Sequence, residues 1–106
     1  MATYLWHASY TAEGTKGLLK EGGSKRRAAV QQAVEKAGGK LLAFYFAFGE
    51  SDVVGIAEFP DNATAAAVSM AVNAAGAASL RTTPLVSPEE MDAAARQTVS
   101  YRPPGA

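Results

Sequence analysis

An α+β fold built on a four-stranded antiparallel sheet is the architecture this chain predicts, on three observations. Strand-like runs rich in aromatic and β-branched residues alternate with alanine-rich runs in the order β-α-β-β-α-β. Ser, Asp and Gly stand where helix caps belong. Two of the strand-like runs are separated only by a glycine-containing turn, which reads as a hairpin. That order is the split βαβ arrangement of ferredoxin-like folds, with both main helices expected on one face of the sheet and a further short helix at the C-terminal end. A chain of 106 residues with five prolines and ten glycines has room for one core. The domain is expected over residues 1–96, with 97–106 as a tail.

The elements follow in order. Residues 2–10 are rich in aromatic and hydroxyl side chains and read as a first strand. Alternation puts Tyr4, Trp6, Ala8 and Tyr10 on one face and Thr3, Leu5, His7 and Ser9 on the other. Between Thr11 and Gly23 lies a glycine-punctuated stretch in which Leu18 and Leu19 are available to cover the core as a single helical turn. Ser24 is the expected N-cap of a helix running to Ala37, because Val30, Ala33, Val34 and Ala37 recur at helical spacing; Gly38 and Gly39 stop it. Leu41 to Phe48, almost wholly apolar, reads as a second strand. Gly49-Glu50-Ser51 turns the chain into a third strand from Asp52 to Phe59, in which Val53, Val54 and Ile56 favour the extended conformation. Pro60 ends it. Asp61 is the expected N-cap of a helix over Asn62–Ala75, closed by Gly76. A fourth strand from about Ser79 to Val86 contains Pro84, which places it at a sheet edge because proline has no amide hydrogen to donate. Ser87-Pro88-Glu89-Glu90 has the form of a capping box and opens a short helix to about Arg96.

Composition narrows the function. Basic and acidic side chains number ten each, so no positive field gathers the counterion-release energy of nucleic-acid binding. The absence of cysteine removes disulfides, thiolate nucleophiles and zinc-thiolate sites and suits a reducing compartment. No apolar run approaches the roughly 20 residues of a membrane span, and Met1–His7 lacks the features of a signal peptide. A cytoplasmic protein is expected, with neither nucleic acid nor membrane as partner. With one histidine and no cysteine, neither a metal nor another cofactor is anticipated.

Helices on one face leave the other face of the sheet bare. In the second strand Leu42, Phe44, Phe46 and Phe48 fall on one side and Leu41, Ala43, Tyr45 and Ala47 on the other, so neither side is written for water. A second copy is the simplest cover, and a homodimer or higher homo-oligomer is expected.

The chain resembles the GYD-domain family, among the dimeric α/β-barrel proteins with ferredoxin-like folds. The likeness spans roughly residues 3–90. It rests on Thr3-Tyr4-Leu5, the Tyr10-Thr11 pair, the helix leading to Gly38-Gly39-Lys40, Phe44-Tyr45, and Gly49-Glu50-Ser51-Asp52-Val53-Val54. Gly49 and Asp52 match the glycine and aspartate of the family's name, while Ser51 stands where its tyrosine is usual. The resemblance implies the fold and the dimer and no particular reaction.

Three residues are candidates for proton chemistry: His7, Tyr45 and Asp52. His7, the only histidine, carries the ring type suited to acid or base chemistry and shares a face with Ser9; its plainer reading is an imidazole hydrogen-bonded within the sheet or to a partner copy. Asp52 has the alternative of capping the turn's own amides. Tyr4, Trp6 and Tyr10, with Tyr45 across the sheet, are candidates to line an aromatic ligand pocket, the plainer reading being that these rings fill the core or an interface. Lys25, Arg26 and Arg27 crowd the first turn of a helix and are read as solvent-facing, the alternative being attraction of an anionic ligand or pairing with acidic groups of a partner copy. These features support a dimer that binds a small aromatic or apolar molecule. A cofactor-independent monooxygenase, isomerase or lyase using His7, Tyr45 or Asp52 is the alternative, and a module that oligomerises through its tail is a third.

Overall fold

The computed structural model describes residues 1–106 and contains β1 (Ala2–Tyr10), α1 (Ala12–Glu21), α2 (Gly23–Lys36), β2 (Lys40–Phe46), β3 (Val53–Phe59), α3 (Asn62–Ala75), β4 (Ala78–Leu85) and α4 (Pro88–Ala95). The four strands form one antiparallel sheet in the order β2-β3-β1-β4, the ferredoxin-like order. β4 lies at an edge, where Pro84 forfeits no interior ladder bond. The outward backbone of that edge is partly covered: the Asn73 side chain of α3 accepts from the Leu80 amide at 2.7 Å and donates to the Leu80 carbonyl at 3.2 Å. A side-chain amide thus does the work of a neighbouring strand.

Tyr4, Trp6, Ala8, Val53, Ala57, Phe59 and Leu80 on the sheet, with Val34 of α2 and Ala65 of α3, form the core. Small helix residues let the helices lie close, and the aromatic rings fill the remaining volume: Phe59 sits 5.9 Å from both Tyr4 and Trp6 between ring centres, at tilted angles. Two glycines are demanded by close approach. A Cβ on Gly14 would lie 1.9 Å from the Ala77 carbonyl oxygen, and one on Gly39 would lie 2.3 Å from that of Glu58.

Three sequence expectations are corrected. The Thr11–Gly23 stretch is the ten-residue helix α1, whose N-cap is Thr11; the Thr11 hydroxyl accepts from the Gly14 amide at 3.2 Å. Its glycines discourage a helix in isolation, but packing of Gly14 on Ala77 and docking of the Thr11 amide on the Ala77 carbonyl at 3.0 Å hold it. Within α1, Leu18 is half-buried and Leu19 is exposed. Ser24 is not the cap of α2: the helix begins at Gly23, after Gly22 at φ +86°, and has no side-chain cap. A left-handed glycine turns the chain directly from one helix into the next. Finally, β2 ends at Phe46 and carries a bulge between Leu41 and Ala43. The extra residue moves Leu41 to the helix-covered face with Phe44, where both pack against the core, so the strict alternation expected for Leu41 fails.

Asp61 caps α3 through the Thr64 amide at 2.8 Å, Gly76 closes it at φ +81°, and Ser87 and Glu90 form the reciprocal capping box of α4. From Pro88 onward every residue is exposed. The radius of gyration is 16.9 Å, against the roughly 13 Å of a compact chain this long, because α4 and the tail stand off the body.

Candidate functional site

One face of the sheet has no helix over it. His7 lies near the centre of β1 on this open face, opposite Val54 of β3 on one side and Arg81 of β4 on the other. The β2–β3 connection folds over the end of these strands. It is closed by the Ala47 amide donating to the Asp52 carbonyl and the Asp52 amide donating to the Ala8 carbonyl, both at 2.8 Å. That second bond draws the loop inward and buries Ser51, which is only 6% exposed. The result is a depression of about 600 Å³ lined by His7, Ala47, Gly49, Glu50, Ser51, Val54, Arg81 and Thr83. Arg81 Nη2 donates to Ser51 Oγ at 3.3 Å, and Ser51 Oγ lies 3.4 Å from His7 Nδ1.

The hydroxyl that meets His7 is therefore that of Ser51, from a loop 44 residues away in sequence, rather than that of Ser9. Asp52 has turned away from the depression: its Oδ2 accepts from the Tyr10 amide at 2.8 Å, standing in for a strand carbonyl just beyond the end of β3. Tyr45 is on the open face, opposite Val54 and 70% exposed. Tyr4 and Trp6 are buried under the helices, and Tyr10 packs against the same core. The four aromatic candidates do not converge, because Tyr45 is separated from the other three by the sheet itself.

Tyr4 touches a second, smaller depression of about 300 Å³ between α3 and β4, but its hydroxyl is engaged with the Asn62 side chain. Trp6 keeps a buried Nε1–H without a partner, and neither depression is lined by it. Burial, as the largest influence, pushes the Tyr10 phenol above its ordinary range, opposed by Arg26 and reinforced by Glu21 and Asp52. Of the basic trio at the start of α2, Lys25 and Arg27 are exposed, and Arg26 reaches Glu21 at 3.8 Å. No three His, Cys, Asp or Glu side chains gather as a metal ion needs, and no helix is long and apolar enough to cross a membrane.

Arg81, Thr83 and Glu50 are not singled out from sequence, and Ser51 stands out there only as the residue at the position of the family's usual tyrosine. A signal for Arg81 was available: the split βαβ order puts the fourth strand beside the first, and an arginine in the middle of that strand must then face a neighbour on β1. No local pattern announces Ser51, whose burial depends on how the loop closes.

Fold and site together define a ferredoxin-like α+β domain with a polar depression on the uncovered face of its sheet. The GYD domain model matches residues 4–95, and the chain belongs to the GYD-domain family. No curated protein and no solved structure matches it.

Proposed function

We propose that this protein is a homodimeric binding module that holds a small organic molecule in the depression around His7. The observation that carries this reading is the convergence of His7, Ser51 and Arg81, from two strands and a loop, on one concavity with no helix over it. Concavities with a few converging polar groups are where small ligands are fixed and oriented. Only Ala47 and Val54 of the eight lining residues are apolar, so the ligand carries a polar group as well as an apolar body.

The dimer is supported by three features. The open face displays half-buried Leu5, Val54 and Ile56 and exposed Tyr45. Phe48, in the connection between β2 and β3, is wholly exposed. The projecting arm exposes Val86, Met91, Val99 and Tyr101. Apolar surface in two places on one small chain is covered most simply by a second copy, sheet face against sheet face, with each arm lying on the other subunit. In that arrangement the partner's sheet roofs the depression and excludes water from it.

Thermal-shift measurement against a library of small organic molecules tests the reading, using the full chain and Ala47→Trp, whose indole fills the depression. Compounds that stabilise the natural chain and leave the filled variant unmoved support it. Equal stabilisation of both, or of neither, refutes it.

A second reading, a cofactor-independent enzyme, is favoured by the contact between Ser51 Oγ and His7 Nδ1 inside the same depression. There His7 would move a proton on the bound molecule. Under that reading His7→Ala abolishes turnover while ligand affinity falls only modestly; under the binding reading no turnover exists to lose.

A further inference from the structure

We propose that the depression on the open face is a carboxylate site, in which Arg81 and His7 hold the carboxylate of a small organic monoanion; this rests on the reading of the depression as a ligand site. The hydrogen-bond polarity of the cluster leads there. A guanidinium can only donate, so Ser51 Oγ accepts from Arg81 Nη2. In the arrangement proposed, the Ser51 hydroxyl hydrogen is directed to His7 Nδ1, 3.4 Å away, and the imidazole hydrogen sits on Nε2. So arranged, the chain Arg81 to Ser51 to His7 runs one way and ends in an N–H. Both contacts are at the long end of hydrogen bonding.

Donors exceed acceptors in the rest of the cluster too. Of the five N–H groups of Arg81, one is engaged by Ser51, and no carboxylate lies within 4.0 Å of it; the chain's ion pair is Arg26 with Glu21. Thr83 adds a hydroxyl from the next outward position of β4. The Arg81–Ser51–His7 side of the depression, with surplus donors and a permanent cation, calls for an oxyanion, and the planar fork of arginine matches a carboxylate. Glu50, the one carboxylate in the lining, repels a second negative charge. A singly charged carboxylate is thereby favoured over a phosphate dianion. Val54 and Ala47, with Tyr45 beside Val54 in register, supply the apolar contact for the rest of the molecule.

Calorimetric titration of the full chain with benzoate and benzamide, hexanoate and hexanamide, and inorganic phosphate tests this. At least one acid is expected to bind ten-fold or more tightly than its amide and more tightly than phosphate. Arg81→Gln should weaken that acid ten-fold or more at unchanged solution mass, and Glu50→Gln should strengthen it several-fold. Arg81→Lys, which keeps the charge and loses the fork, should fall between the natural chain and Arg81→Gln, and serves if the latter does not fold. Equal affinity for acid and amide overturns the carboxylate while leaving the ligand site standing. Phosphate binding most tightly overturns the choice of anion. Binding by none of the probes removes both readings. Dissociation of a dimer by Arg81→Gln makes Arg81 a subunit contact and overturns the site.

Discussion

Asp52 and Ser51 are neighbours in sequence with opposite assignments, and the difference is hydrogen bonding. The Asp52 carboxylate accepts from the Tyr10 amide and extends the β1–β3 pairing, so Asp52→Asn retains an acceptor and should leave ligand affinity nearly unchanged. Ser51 is turned the other way, toward His7 and Arg81. Ser51→Tyr, which completes the family's usual hairpin signature, places a phenol beside the depression and is expected to block small-molecule binding while the chain remains folded by circular dichroism. Tyr10 offers a test by pH. Its phenol is raised above the ordinary 10.0 chiefly by burial, so the folded chain holds that proton more tightly than the unfolded one. The corresponding stability is present below the ordinary phenol value and is lost as pH climbs through the raised one. Ultraviolet titration should show a late phenol component that Tyr10→Phe deletes. His7 was legible from composition as the only histidine, whereas its partners were hidden: neither Ser51 nor Arg81 is near it in the chain.

At the scale of elements, caps were the most readable signals because they act over three or four residues. Asp61, Gly76 and the Ser87–Glu90 box all stand where local chemistry puts them. Hydrogen bonds from the Thr64 amide, and then from its hydroxyl, hold the Asp61 carboxyl below its ordinary 3.8. That contribution is present above 3.8 and disappears as pH falls through the lowered value. Asp61→Asn, which still accepts a hydrogen bond but carries no charge, should flatten this part of the acid unfolding curve. α1 was illegible for the converse reason. Its glycines lower helix propensity, and what holds it is Gly14 lying against the carbonyl of Ala77, a contact across 63 positions of sequence that no local rule can see. Gly14→Ala improves propensity on paper, yet it drives a methyl into backbone and should destabilise the fold by about 1–3 kcal/mol. Urea unfolding followed by Trp6 fluorescence measures this. The bulge in β2 belongs with α1: one extra residue reverses the facing of Leu41, and nothing in an unbroken apolar run marks where it falls.

For the whole molecule the prediction concerns mass. The proposed dimer should give twice the 11.0 kDa chain mass by light scattering at micromolar concentration. Tyr45→Lys, on the open face, should shift it toward the monomer, and so should removal of residues 87–106, which bury nothing within their own chain except part of Ser87. A monomeric natural chain would refute the dimer outright. An arm whose loss leaves the dimer intact would leave the sheet face as the whole interface. The sequence by itself determined the β-α-β-β-α-β order of the main elements and the C-terminal helix, the antiparallel hairpin, the edge position of β4 and the apolar excess of β2, because each depends on spacing, caps or turn residues a few positions apart. Tertiary structure alone decided that Tyr4, Trp6 and Tyr10 belong to the core side while Tyr45 lies on the other face, and that Ser51, His7 and Arg81 meet. The physical reason is that strand pairing and loop closure are long-range bonds. Their register determines which side chains share a face, and a single loop or bulge resets that register without leaving a mark in the local pattern.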